Sequence, residues 1–134
     1  MPNRAVFDTR FFIELFYQKN QSKLNQLKDE LRHTHDRFVS VVTVYETHRI
    51  NQSREGKTVA NLRSDTINRG FTVVPLDYTS SIQAAEIAEK HRTPLADSVI
   101  AAISLSLNAS VVTDDPHFQS IIGVKTRWPI RKTT

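Results

Sequence analysis

PLADSVIAAISLSLNASVVTDDPHF, residues 94–118, decides the fold. It reads as a helix start, an apolar helix over Leu95 to Leu107, a turn, a strand at Ser110 to Val112 and an acidic turn. Thr93 and Pro94 look like a cap followed by a proline at the first helical position. The helix is apolar nearly all round, which predicts a central, covered element. Asp97 stands in its first turn, and Asp114 and Asp115 follow the strand. Charges in a buried element are costly unless paired or bound to a cation. The rest of the chain must therefore supply partners for these carboxylates or further ligands.

Upstream, Ala5 to Phe7 is a short apolar run that ends at Asp8, and Phe11, Phe12, Leu15 and Phe16 then repeat at helical spacing. Asp8 lies at this strand-to-helix junction, where Asp is also an ordinary N-cap. Leu24, Leu27 and Leu31 form one face of a second helix. Phe38 to Val42 reads as a second buried strand. Thr43 to Glu46 spells T-x-x-E, a capping-box pattern that gives Glu46 a purely structural alternative. Asn51 to Asn61 is polar, carries Arg54 and Lys57, and turns at Gly56, so it predicts a hairpin between two helices. The second of these continues through Asn68 and is closed by Gly70. Phe71 to Val74 is a third strand, stopped by Pro75. Ser80 and Gln83 suggest a capping box for a fifth helix. Asp115-Pro116 again reads as a cap and a proline, and Val124 to Thr126 as a short edge strand.

Strands alternate with helices throughout, which predicts an α/β domain with a mainly parallel sheet. With 134 residues, one domain spanning 1–134 is expected. The chain has no cysteine, which excludes disulfides and thiolate metal sites and fits a reducing cytoplasm. The N-terminal apolar run is too short for a signal peptide or a spanning helix, so no membrane association is expected. The net charge of +4 beside a cluster of acids suggests an anionic substrate with a cation between, while the charge by itself fits plain solubility equally well.

Ligands of parallel sheets bind beyond the carboxyl ends of the strands. Asp8, Glu46 and Asp115 each follow a strand, so topology sends them to one edge. Asp97 joins them if the loop before its helix crosses that edge. Four acids at one rim repel one another and stay ionised only beside a cation. Hard oxygen ligands without cysteine favour Mg²⁺ or Mn²⁺. There is no phosphate-cradling glycine loop, no G-x-S-x-G and no H-E-x-x-H.

FDTRFF with Asp8, TVYE with Glu46, LADSVIAA with Asp97, and VVTDDPHF with Thr113 and Asp115 resemble the successive motifs of PIN-domain nucleases. The resemblance runs in order from residue 5 to about 126. It implies a three-layer α/β/α sandwich with a four- or five-stranded sheet, and a metal-dependent ribonuclease acting on single-stranded RNA. It also implies a homodimer, which fits apolar residues beyond what one sheet must cover, such as Phe11, Phe12, Phe16 and Tyr17, and, in compact members, the VapC-type toxin of a toxin–antitoxin pair, with an antitoxin protein as partner. By position, Asp8, Glu46, Asp97 and Asp115 would form the acidic quartet that binds Mg²⁺ or Mn²⁺ and activates water. Thr113 matches the small hydroxyl residue before the last acid, and Asp114 would be an auxiliary ligand. Thr9, Arg10 and Thr113 would support the acids. Arg10 departs from the Asn or Ser common after Asp-Thr, and it could pair with an acid or contact phosphate. Arg49, Arg54 and Lys57 are candidates to meet the RNA backbone. The competing reading is a non-catalytic PIN-like domain that binds RNA or protein. A phosphoacceptor domain fits poorly, because it needs its acidic pair after strand 1.

Overall fold

The computed structural model describes residues 3–131. Its strands are β1 (Arg4–Phe7), β2 (Asp36–Ser40), β3 (Thr72–Val74), β4 (Ser110–Val112) and β5 (Thr126–Arg127). They pair in parallel throughout, in the order β3-β2-β1-β4-β5. Six helices flank this sheet: α1 (Thr9–Tyr17), α2 (Gln21–His33), α3 (Val41–Glu55), α4 (Lys57–Gly70), α5 (Tyr78–His91) and α6 (Leu95–Leu107). A 3₁₀ helix covers Pro116–Ser120. The α/β domain with a parallel sheet expected from the alternation is therefore present, and so is the five-stranded sandwich that the resemblance implies. Its strand order turns back between β1 and β4, and that is where such sheets open a crevice.

Side-chain alternation along the central strands builds one core on each face. Val6 and Val111 point into a cluster with Val99, Ile100 and Ile103 of α6 and with Phe118. Ala5, Phe7 and Val112 point the other way, against Phe11, Phe12, Leu27 and Ile67. α6 is buried continuously from Asp97 to Ser104, as its all-round apolar sequence predicts. Phe7 packs edge-on against Phe11, with ring centroids 4.8 Å apart, and against Phe71 at 5.1 Å.

Several expected boundaries move, each for a local reason. β2 ends at Ser40, whose Oγ accepts from the Val42 amide at 3.0 Å and caps α3. Val41 and Val42 are thus the first turn of a helix, not the end of a strand. Thr43 is inside α3, so no capping box joins it to Glu46. The box of α5 is made by Asp77 and Ser80 instead of Ser80 and Gln83. The N-cap of α6 falls at Pro94 and not at the expected Thr93, so the proline stands just before the first helical position, and the Thr93 hydroxyl meets Ser98 Oγ at 2.6 Å. α4 runs through Gly70 and is closed by Phe71. β5 begins at Thr126, past most of the expected Val124–Thr126. The hairpin between α3 and α4 turns at Gly56 as read; its φ of 88° suits a residue without a side chain.

The buried stripe of α3 is polar. Thr43, Thr47 and Asn51 are all fully buried at four-residue spacing. Asn51 Oδ1 accepts from Tyr17 Oη at 2.9 Å and Arg63 Nη1 at 3.0 Å. Arg63 also pairs with Glu55 and lies 4.9 Å from the Phe16 ring centroid. The α3–α4 hairpin is thus fastened to α1 partly by charge and hydrogen bonds.

Candidate metal centre

Asp8 follows β1 directly and is only 4% exposed. It does cap α1: Oδ1 accepts from the Thr9 amide at 2.7 Å. Its other oxygen, Oδ2, accepts from Thr113 Oγ1 at 2.7 Å, across the two strands that flank the topological switch. Thr113 Oγ1 in turn accepts from the Asp115 amide at 3.0 Å, which orients the acidic turn after β4. Burial pushes the Asp8 carboxyl up to about 6, with the charges of Asp115 and Glu46 adding to it, against the hydrogen bonds from Thr113 and Thr9.

Asp97 lies in the first turn of α6, and no backbone amide there takes its side chain as a cap. Its Oδ2 lies 3.3 Å from His117 Nδ1, and Asp115 Oδ1 lies 2.8 Å from the same nitrogen. Burial raises the Asp97 carboxyl to about 6, and the neighbouring charges of Asp115, Asp8 and Glu46 raise it too, against His117. Asp115 also caps the 3₁₀ helix through the His117 amide at 2.9 Å. Asp97, Asp115 and His117 offer ligand atoms that all lie within 4.8 Å of one another. The loop before α6 therefore does bring Asp97 to the rim of strand ends.

Glu46 stands on the second turn of α3, and its Oε1 accepts from Thr9 Oγ1 at 2.7 Å. Neighbouring threonines thus hold two of the acids, Thr9 on Glu46 and Thr113 on Asp8. Arg10 pairs with Asp114 through two contacts, Nε donating to Oδ1 and Nη2 donating to Oδ2 at 3.1 Å. Asp114 is thereby turned toward the arginine, outside the Asp97–Asp115–His117 group. Arg49 and Arg54 line a groove with Glu46, while Lys57 stands outside that lining. Arg54 also covers the Tyr17 ring at 4.5 Å.

The sequence reading did not single out His117. Its position two residues past Asp115 carries a signal only once a 3₁₀ turn folds its ring back over the cap residue. Phe11 and Phe12, read as surplus apolar surface, are fully buried in the core.

A carboxylate cluster at the carboxyl edge of a parallel sheet, at its switch point, marks this fold as one built to meet a polar ligand there. The PIN domain profile matches residues 5–123, and the chain belongs to that nuclease family. No curated protein sequence matches the chain. Among solved structures, a DNA-bound VapBC from Salmonella typhimurium is similar at a TM-score of 0.80 and 16% identity, covering 96% of this chain and 99% of that one. VapC20 of Mycobacterium tuberculosis, described as a sarcin–ricin-loop-cleaving toxin, is similar at 0.74 and 16%, covering 90% and 98%. A toxin–antitoxin complex from Klebsiella pneumoniae gives 0.71 and 20%, covering 90% and 94%. The fold is thus the one shared with VapC toxins.

Proposed function

We propose that this protein is a Mg²⁺- or Mn²⁺-dependent endoribonuclease that cleaves single-stranded RNA, and that it acts as the toxin of a toxin–antitoxin pair. The observation that carries the reading is the convergence of Asp97, Asp115 and His117 within 4.8 Å, beside buried Asp8. Carboxylates this close, two of them raised to about 6, gain most from a cation among them. Their oxygens suit Mg²⁺ or Mn²⁺, so the residues fit such an ion. Asp8, Asp97 and Asp115 would hold it, with Glu46 completing the site and His117 offering an imidazole nitrogen. A bound divalent cation supplies Lewis acidity, which makes water a better nucleophile and offsets charge on the phosphate.

The chain's own groups do the rest. Thr113 fixes the Asp8 carboxylate, and Thr9 fixes Glu46. An acidic side chain of the cluster orients the attacking water and takes its proton. Water rather than the ribose 2′-OH attacks, so the products carry a 5′-phosphate and a 3′-hydroxyl. Arg49 and Arg54, in the groove beside Glu46, neutralise the RNA backbone. A second copy of the chain and an antitoxin protein are the expected protein partners. Among the described residues no helix is long and apolar enough to cross a membrane. The test is RNA cleavage with and without divalent cation, in the wild type and in Asp97→Asn.

A further inference from the structure

Two open grooves lie beside the acidic residues and share no lining residue. One holds Glu46 and runs along α3 past Arg49 and Arg54. The other, of about 730 Å³, begins at Thr113 and Asp114 and is walled by Lys23, Trp128 and Arg131. That volume is in the range of ligand clefts, roughly 300–1,000 Å³. The second groove joins the N-terminal part of α2 to the segment after β5, two pieces far apart in sequence. The Arg131 amide, 2.7 Å from Gln26 Oε1, fixes that segment against α2.

We infer that the Trp128 groove binds the single-stranded RNA as it leaves the acidic centre, with a base stacked on Trp128 and phosphates met by Lys23 and Arg131. The inference rests on the ribonuclease reading for its substrate class and extends it to a second part of the surface. Three observations support it. The groove adjoins the centre, because Thr113, which holds Asp8, and Asp114, which precedes Asp115, are on its wall. Trp128 is half-buried: it packs against the phenylalanine cluster and still lines the groove, so it is a braced aromatic surface. Among the described residues, the salt bridges leave Lys23 and Arg131 without a carboxylate, while Arg127 on the same wall is taken by Glu30 at 3.0 Å.

That combination is the chemistry of single-strand binding. Every base has a π face, so stacking on an aromatic ring tolerates any sequence, and free cations beside it track the backbone. A duplex hides its base faces and could not use Trp128. The aromatic ring thus gives a physical reason for a preference for unpaired RNA.

Trp128 is the only tryptophan in the chain, so its fluorescence reports on this groove alone. The experiment titrates the full-length protein, in EDTA, with a labelled single-stranded oligoadenylate, and reads tryptophan emission and RNA anisotropy together. Chelator removes any need for cleavage, so a failed nuclease assay and a failed groove assay are separate results. The expected result is saturable quenching that follows the anisotropy. Lys23→Glu and Arg131→Glu should each weaken binding about tenfold and flatten the slope of log affinity against log salt by at least ~0.7. Binding that leaves tryptophan emission unchanged, or variants that bind like the wild type, would overturn the inference. Quenching by an acidic peptide and not by RNA would assign the groove to a protein partner and overturn it equally.

Discussion

Thr113 Oγ1 donates to Asp8 Oδ2 at 2.7 Å, a buried bond between residues 105 positions apart. It ties the loop after β4 to the end of β1, the two strands at the switch point of the sheet. Through the Asp115 amide the same hydroxyl also sets the acidic turn. One side chain therefore orients two of the acids.

Thr113→Val keeps the volume and removes both hydrogen bonds. Groups that orient metal ligands typically cost 10–100-fold in affinity when lost, so Mn²⁺ binding should weaken by about tenfold or more. Isothermal titration of the variant and wild type would measure it. Equal affinity would mean that Thr113 serves packing only.

The centre was legible in part. Asp8, Glu46, Asp97 and Asp115 could be named because each falls at a strand end or helix start, and alternating elements send those positions to one rim. What Thr9 and His117 touch could not be read, since both contacts depend on how separate loops turn. Val41 and Val42 look like strand in the sequence, whereas the Ser40 hydroxyl starts α3 there by capping it. That Phe11 and Phe12 belong to the core is not visible in the sequence, which does not say that α1 lies over Phe7 and Phe71.

Without cation, stability should fall as pH rises. Burial first, then neighbouring charges, raises both Asp8 and Asp97 to about 6 from 3.8. Between those values the folded state holds protons that the unfolded chain has released. Their contribution is complete below about 4 and is lost as pH passes 6, on the order of a few kcal/mol together. Thermal melts in EDTA would show the fall, and Asp8→Asn with Asp97→Asn should abolish it. Mn²⁺ should reverse it, releasing protons when it binds near pH 6. Identical pH slopes for wild type and the double variant would contradict this.

Arg63 is expected to matter for stability. It bonds Tyr17 Oη at 3.1 Å, Asn51 Oδ1 at 3.0 Å and the Glu55 carboxylate. Arg63→Ala should cost about 2 kcal/mol, in keeping with hydrogen bonds to a charged group. Lysine keeps the charge but not the planar fork, so Arg63→Lys should recover only part of it. Urea unfolding would give both values. A loss within error of zero would show that the network adds nothing net.

The dimer expectation now rests on other residues than Phe11 and Phe12. Val41 is 41% exposed, and Tyr45 is 62% exposed one turn further along α3. A symmetric pair burying such a face is the default oligomer. Sedimentation should give about twice the 15.3 kDa of the chain at micromolar concentration. A single species at the chain mass would reject the dimer.

The proposed function requires these acids to hold a divalent cation for RNA hydrolysis. Its most direct test is cleavage of single-stranded RNA with Mg²⁺, Mn²⁺ or EDTA, comparing wild type with folded Asp97→Asn. Asparagine keeps the size of the side chain and is a good residue near a helix start, so the fold should survive. The expected results are 5′-phosphate products, no cleavage in EDTA, and a rate lower by about a hundredfold or more for the variant. Cleavage by Asp97→Asn at the wild-type rate, or a rate unchanged by EDTA, would contradict the proposed function.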